Sequence, residues 1–272
     1  MKLQKYIALA LVGVTTMAIL AGCGSQKDAA TDKSKPLRVA TNATFVPFEF
    51  KDNDADTDYK GFEIDLIKAL AKEMGRTLEF NNIPFSGIIP IIQQGDMDIA
   101  VAGMTMTQER ASKVLFAAPF YESKLVILTS KDSGIHSVAD LQGKQVAVQM
   151  GTTGAGYAEE KGLQMKQFDH NSEIIMELKV GGSQAGILDK PVADYFLTQE
   201  GKDKFVEIEI PDTKSEYLAM AMNKNDTALQ KDVNEAMQKL KDNGEFDKIY
   251  QKWFGTKAPD LPKTAEDALA KK

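Results

Sequence analysis

The residue types that usually carry enzyme chemistry are few in this chain. Its 272 residues include two histidines, His136 and His170, and a single cysteine, Cys23. Neither histidine stands in the HExxH spacing that marks a zinc site. The glycine-rich segment 151–156, GTTGAG, lacks the Gly-Lys-Ser/Thr that ends a phosphate-binding loop, and no GxGxxG fingerprint occurs. These residues favour a binding protein over an enzyme, and they predict no catalytic residues, no cofactor and no metal.

Two polar features have a plain structural interpretation beside a functional one. The segment 151–156 has the composition of a strand-to-helix turn, although the backbone N–H groups at such a helix start can also receive a carboxylate. Asp96 and Asp98 flank one residue, but they are interpreted as solvated loop groups rather than a catalytic pair. Neither feature defines an activity by itself.

Cys23 predicts where the protein resides. Lys2 and Lys5 precede an apolar run over residues 7–20, which is too short to span a bilayer comfortably and typical of a signal peptide. The run ends in LAGC, which looks like a bacterial lipobox. We expect a signal peptide at 1–22, a lipidated Cys23 with a tether to residue 36, and an extracytoplasmic lipoprotein anchored to the cell membrane. The alternative is a plain signal with an incidental cysteine.

Composition excludes several other classes. The net charge of −6 is spread along the chain, which argues against nucleic-acid binding. With 43% hydrophobic and 26% charged residues, the remainder of the chain is typical of a globular protein. Residues 256–272 are expected to form a polar tail, with an Ala-Leu-Ala segment too brief to define a helix.

Strand-like and helix-like segments alternate over residues 37–113 and again over 145–198. Residues 61–74, for example, place apolar side chains at helical spacing and end at Gly75. This order predicts an α/β protein of two lobes, each with a mostly parallel sheet flanked by helices. Extended segments at 122–129 and 217–222 would join the lobes. The predicted division is lobe 1 at 37–121 and 217–255, and lobe 2 at 122–216.

Six segments resemble one family, the polar amino-acid receptors of ABC importers, of the glutamine-binding and lysine/arginine/ornithine-binding type. They are ATNATFVPFEF, GFEIDLIKALAKEMG, FSGIIPIIQQGDMDIAVAGMTMTQER, VAVQMGTTG, ILDKPVADYF and IYQKWFG, in this order between residues 40 and 255. The resemblance implies the type II periplasmic-binding-protein fold with two hinge strands. It also implies a monomer that captures an L-amino acid by hinge closure and delivers it to a permease and ATPase.

The resemblance also assigns a ligand site. It places Arg110 on the ligand α-carboxylate and Asp189 on the α-ammonium, and the planar fork of an arginine suits a carboxylate. The other ligand-binding residues that it implies are Asn42, Phe45, Phe85, Gly103, Met104, Thr105, Gln149, Thr152 and Thr153.

Three positions depart from the glutamine-receptor pattern. That pattern has an acid at Asn42, a lysine at Gln149 and a histidine at Leu188, all expected to face the ligand side chain. The neutral amides favour glutamine slightly, and an arginine or lysine receptor is the alternative, because a desolvated cation prefers a carboxylate. An extracytoplasmic enzyme of the arogenate dehydratase kind and a lipid-anchored sensor are further alternatives.

Overall fold

A computed structural model describes residues 35–53 and 55–271. The predicted signal peptide, Cys23 and nearly all of the tether lie outside this part of the chain. The strands that the structure describes are β1 Leu37–Thr41, β2 Thr44–Phe45, β3 Glu49–Phe50, β4 Leu78–Asn82, β5 Ile99–Ala100, β6 Val114–Phe116, β7 Tyr121–Ser123, β8 Leu125–Ser130, β9 Gln145–Gln149, β10 Gln164–Phe168, β11 Ala185–Asp189, β12 Phe205–Glu209, β13 Glu216–Leu218 and β14 Ala221–Asn223. The helices are α1 Phe62–Met74, α2 Phe85–Gln94, α3 Gln108–Lys113, α4 Thr153–Glu160, α5 Asn171–Lys179, α6 Lys190–Phe196, α7 Thr227–Asp242, α8 Glu245–Phe254 and α9 Ala265–Ala270.

Two five-stranded sheets organise these elements. Sheet 1 has the order β4-β1-β5-β14-β6, and sheet 2 has the order β10-β9-β11-β8-β12. In sheet 1, β14 runs antiparallel to both of its neighbours, and in sheet 2, β8 does the same. The remaining pairs are parallel. The predicted α/β fold with two mostly parallel sheets is therefore confirmed, with one reversed strand in each sheet.

A short antiparallel ribbon connects the two sheets. It pairs β7 with β13, in the register Glu216↔Ser123 and Leu218↔Tyr121. The extended segments predicted as single connecting strands are each divided in the structure. One splits into β7 and β8, and the other into β13 and β14, so that β8 joins sheet 2 and β14 joins sheet 1. The ribbon supplies the narrow connection that a hinge needs.

Helix α1 shows how sequence pattern becomes packing. Its apolar residues recur at helical spacing, and Phe62, Leu66, Ile67 and Leu70 are fully buried. The predicted stop at Gly75 is found, since Gly75 is left-handed and its N–H bonds the carbonyls of the last turn.

Aromatic rings cluster where α1 meets α8 and the ribbon. The Phe62 ring lies 5.1 Å from the Phe254 ring and 5.8 Å from the Phe120 ring, measured between centroids. The members of this aromatic cluster are Phe48, Phe62, Phe120, Tyr121, Phe246, Tyr250 and Phe254. The cluster ties α8 to α1 and to the ribbon.

The segment predicted as a polar tail is partly packed. Thr264 is the N-cap residue of helix α9, and its side chain accepts the Asp267 N–H. Ala265 and Ala268 are buried against apolar residues of sheet 1, and the Gln108 amide donates to the Leu269 carbonyl. Two small alanines on one helix face allow this close packing, which composition alone did not indicate.

Candidate ligand-binding site

A small cavity, of about 20 Å³, lies where strands of both sheets end. This is the edge at which open α/β sheets bind ligands. Its lining comprises Asn42, Phe45, Glu49, Phe85, Ala102, Gly103, Thr105, Arg110, Gln149, Thr152, Thr153, Asn171 and Asp189. Asn42 follows β1, Gly103 and Thr105 follow β5, and Gln149 and Asp189 end β9 and β11. The topology of the two sheets therefore brings these side chains together.

Two residues expected at the ligand do not line the cavity. Met104 is buried among apolar residues, because it and its neighbour Thr105, which forms a β-bridge with Leu218, point to opposite sides and Thr105 takes the cavity side. Leu188 is likewise buried in the core. Every other residue that the resemblance assigned to the site lies in the lining.

Gly103 is required by the close approach of an aromatic ring. Its φ is +54°, and a Cβ at this position would lie 2.4 Å from a carbon of the Phe45 ring. Only glycine allows both the backbone conformation and this packing. Phe45 thereby forms part of the cavity wall, and Phe85 also lies in the lining.

Arg110 spans the two sides of the cavity. It lies in α3, whose N-cap Thr107 accepts the Arg110 N–H. One guanidinium nitrogen donates to the Thr105 carbonyl at 2.8 Å, and another donates to the Gly151 carbonyl at 2.9 Å. The guanidinium also lies over the Phe85 ring at 5.3 Å. Burial lowers the Arg110 pKa, but the charges of Glu216 and Asp189 oppose this effect, and an arginine stays charged.

Asp189 provides a buried carboxylate at the end of β11. Its Oδ1 accepts the Ser123 hydroxyl at 2.8 Å. It occupies the N-cap position of α6, but its side chain does not cap the helix. Burial, followed by the charge of Glu216, raises the pKa of Asp189 to about 7. This carboxylate is therefore costly to ionise until a cation reaches it.

Ligand affinity should depend on pH through Asp189. A ligand ammonium favours the ionised form, so below pH 7 a proton must first leave Asp189. We expect affinity to fall by up to about tenfold per pH unit below pH 7 and to level off above it. Calorimetry between pH 5 and 9 measures this profile. Asp189→Asn should bind weakly with a flat profile, and an unchanged slope in that variant would show that another group titrates.

A pair of buried glutamates beneath the cavity was not predicted. Glu49 and Glu63 are both fully buried, and Glu63 accepts the Gly103 N–H at 2.6 Å. Burial raises the pKa of Glu63 to about 7, and burial together with the charge of Glu63 raises the pKa of Glu49 well above its usual range. Burial therefore favours the neutral form of Glu49. The sequence did contain a signal, since Glu63 lies three and four residues before Leu66 and Ile67, on the apolar face of α1.

A chain of amides closes another side of the cavity. The Gln149 amide donates to the Asn42 side chain at 2.9 Å, and the Asn171 amide donates to Gln149 at 2.5 Å. Asn42 Nδ2 also lies 3.0 Å from His170 Nδ1. The family resemblance pointed to Asn42 and Gln149 but missed Asn171. Asn171 is the first residue of α5, and nothing in the local sequence distinguishes it from an ordinary polar residue at a helix start. This wall of the cavity is polar and carries no formal charge.

The start of α4 supplies hydroxyl groups. Thr152 caps the helix by accepting the Ala155 N–H, and its hydroxyl donates to the Gln149 carbonyl. Thr153 instead donates to Glu216, which also accepts the Thr105 hydroxyl. Glu216 was not predicted, because only the pairing of β7 with β13 brings this residue to the cavity. It lies in the wall of a larger, open cleft that shares Arg110, Thr152 and Thr153 with the cavity.

Among residues 35–53 and 55–271, no helix is both long and apolar enough to cross a bilayer. In the same residues, no three metal-ligating side chains converge.

The fold and the site together define a solute-binding protein. The profile described as bacterial extracellular solute-binding proteins, family 3, matches residues 37–256. The chain belongs to this family.

Individual relatives agree with that membership. The arginine-binding extracellular protein ArtP of Bacillus subtilis is 33% identical over 258 residues, covering 93% of this chain and 98% of its own. A probable histidine-binding protein of Neisseria gonorrhoeae is also 33% identical, covering 93% and 97%. An ancestral arginine-binding protein, solved with glutamine bound, superimposes with a TM-score of 0.75 at 39% identity, over 81% of this chain and 98% of its own. An ancestral arginine-binding protein has also been solved with arginine bound, and it superimposes with the same TM-score of 0.75.

Proposed function

We propose that this protein captures a polar L-amino acid in the cavity and delivers it to an ABC importer. The observation that carries the proposal is that Arg110 and Asp189, both buried, line the same small cavity. A buried guanidinium and a buried carboxylate match the α-carboxylate and the α-ammonium of an amino acid. The relatives whose names state arginine or histidine binding support the same class of ligand.

Capture would proceed by closure of two lobes about the ribbon. The proposed lobes are residues 37–121 with 217–255, and residues 122–216. The first lobe contributes Arg110, Phe45 and Phe85, and the second contributes Asp189 and Thr153. Contacts that exist only in the closed state stabilise that state when ligand is present, and the importer can then recognise it.

A thermal-shift screen of the purified protein against all L-amino acids tests the proposal. A ligand that binds only the folded state stabilises it by about 2.7 kcal/mol at one hundred times its dissociation constant. We expect at least one polar amino acid to raise the melting temperature. No shift with any amino acid would refute the function.

The protein is also proposed to release its ligand chemically unchanged. The alternative is an enzyme of the arogenate dehydratase kind. Incubating the protein with each amino acid that binds and analysing the recovered ligand by mass spectrometry distinguishes the two. A modified product that disappears in Arg110→Ala would favour the enzyme.

The amide chain favours glutamine as the ligand over arginine or lysine. Asn42, Gln149 and Asn171 present neutral groups that suit a carboxamide, whereas a desolvated cation prefers a carboxylate. Ancestral arginine-binding proteins solved with glutamine and with arginine keep a basic amino acid as the second candidate.

Asn42→Asp should shift preference toward cationic side chains. The change places a carboxylate at the amide chain, and we expect the arginine-to-glutamine affinity ratio to rise by about tenfold, the size of one charged hydrogen bond in a partly buried site. Competition binding measures the ratio. Asn81→Asp, on the neighbouring strand β4 and outside the cavity lining, is the matched control. An unchanged ratio in Asn42→Asp would remove Asn42 from the ligand side chain.

Lipid attachment at Cys23 is proposed from the LAGC sequence. Acyl chains there would hold the protein at the membrane while the cavity stays in water. We expect Cys23→Ala to move the protein from the membrane fraction to the soluble fraction with unchanged ligand affinity, because the lining residues described above all follow the tether in the chain. Membrane fractionation measures the location of the protein, and calorimetry measures its ligand affinity. A variant that stays in the membrane fraction would contradict the lipobox.

A further inference from the structure

The chain places a carboxylate of its own among the groups proposed to bind the ligand α-carboxylate. Glu216 Oε2 accepts the Thr105 hydroxyl at 3.1 Å and the Thr153 hydroxyl at 3.0 Å. Thr105 follows β5 of sheet 1, and Thr153 begins α4 after β9 of sheet 2. One carboxylate oxygen therefore connects the two sides of the cavity.

The surroundings of Glu216 are those of an anion site. Glu216 exerts the strongest of the charge interactions that raise the Arg110 pKa, ahead of Asp189. The N-terminal end of α4 adds a partial positive charge beside Thr153. These groups cannot serve two carboxylates together without strong repulsion between like charges.

Backbone pairing keeps Glu216 at this position. Thr105 forms a bridge with Leu218, and the Met106 N–H donates to the Tyr217 carbonyl at 2.8 Å. The segment that carries Glu216 is thus fixed beside the segment that carries Thr105. Glu216 is only half-buried and also lines the outer cleft, so its side chain has room to turn outward when another group takes its place.

We propose that Glu216 is a built-in competitor for the ligand α-carboxylate. Its carboxylate holds the empty cleft closed by bonding both sides, and an incoming amino acid must displace it. The inference rests on the proposed amino-acid-binding function. The apparent affinity is proportional to the fraction of protein whose site is not blocked. Removing the competitor raises this fraction and should therefore strengthen binding.

Glu216→Gln is the most direct variant, because it keeps the shape of the side chain and removes its charge. We expect it to bind about 5- to 30-fold more tightly, less than the full effect of a buried charged hydrogen bond because Glu216 is half-buried. Glu216→Ala, which removes the bridging group entirely, should do the same. Glu122→Gln is the matched control, since Glu122 lies on the other strand of the ribbon, opposite Tyr217, and is exposed.

The experiment is titration calorimetry of the purified protein with L-glutamine and L-arginine, together with small-angle X-ray scattering of the ligand-free protein. We expect both Glu216 variants to bind more tightly than the wild type and Glu122→Gln to bind with unchanged affinity. We also expect a larger radius of gyration for ligand-free Glu216→Ala. Equal or weaker binding by Glu216→Gln would overturn the proposal, and weaker binding would instead place Glu216 on a ligand cation. If the wild type binds neither amino acid, the scattering still decides, because an unchanged radius in Glu216→Ala would refute the closing role.

Discussion

Arg110→Ala will weaken amino-acid binding by about 30- to several thousand-fold. The ligand carboxylate would keep only neutral donors in a dry cavity, and losing a charged, bidentate partner costs roughly 2–5 kcal/mol. Arg110→Lys should recover only part of the loss, because an ammonium cannot reproduce the planar fork. Titration calorimetry on the wild type and both variants measures the effect.

Arg38→Ala is the control for this measurement. The Arg38 guanidinium donates hydrogen bonds to the Gly95 carbonyl and to the Asp98 carboxylate, but Arg38 lies outside the cavity lining. We expect it to bind as the wild type does. Urea unfolding of each variant verifies that it is folded, which matters because Arg110 also holds the Thr105 and Gly151 carbonyls. Binding by Arg110→Ala within threefold of wild type would make Arg110 a structural residue and remove the central contact of the proposed site.

Phe62→Ala will lower the free energy of unfolding by about 3–5 kcal/mol. Phe62 is fully buried at the centre of the aromatic cluster, so truncating it leaves a cavity bordered by rings from α1, α8 and the ribbon. Phe62→Leu, which refills most of the volume, should cost less than half as much. Urea titration, read as a shift in the midpoint at constant slope, measures both.

Phe50→Ala is the matched control for the core. Phe50 is only partly buried and meets the Trp253 ring edge-on at 5.9 Å between centroids. Its loss should cost about 1 kcal/mol, near the average for a single substitution. If Phe62→Ala costs no more than Phe50→Ala, the cluster does not behave as a packed core.

The sequence predicted those features of the fold and the site that depend on residues close together in the chain. Apolar spacing identified α1, and Gly75 marked its end. Alternation of elements indicated two parallel-rich sheets, and the motif around Arg110 identified a residue of the cavity lining. These features depend on neighbours a few positions apart, which a sequence displays directly.

The features that sequence reasoning missed depend on distant pairing. Glu216 reaches the cavity only because β13 pairs with β7, nearly one hundred positions earlier. Glu49 and Glu63 affect one another's pKa only after α1 has packed against β3 and Gly103. Met104 does not line the cavity, because the motif names a run of residues whereas the Met104 and Thr105 side chains point to opposite sides of the backbone.

The reversed strand of sheet 1 sets an order in which the molecule can be completed. Sheet 2 draws all of its strands from one continuous stretch, Leu125 to Glu209, whereas β14, which separates β5 from β6, follows that stretch in the chain. As the ribosome releases the polypeptide from its N-terminus, sheet 2 can finish while sheet 1 still lacks the strand between β5 and β6. Contacts of such long sequence separation form slowly and leave strand edges unpaired meanwhile. The half of the molecule that is made first is thus the half that matures last, and this interval is when the nascent chain is most exposed to aggregation.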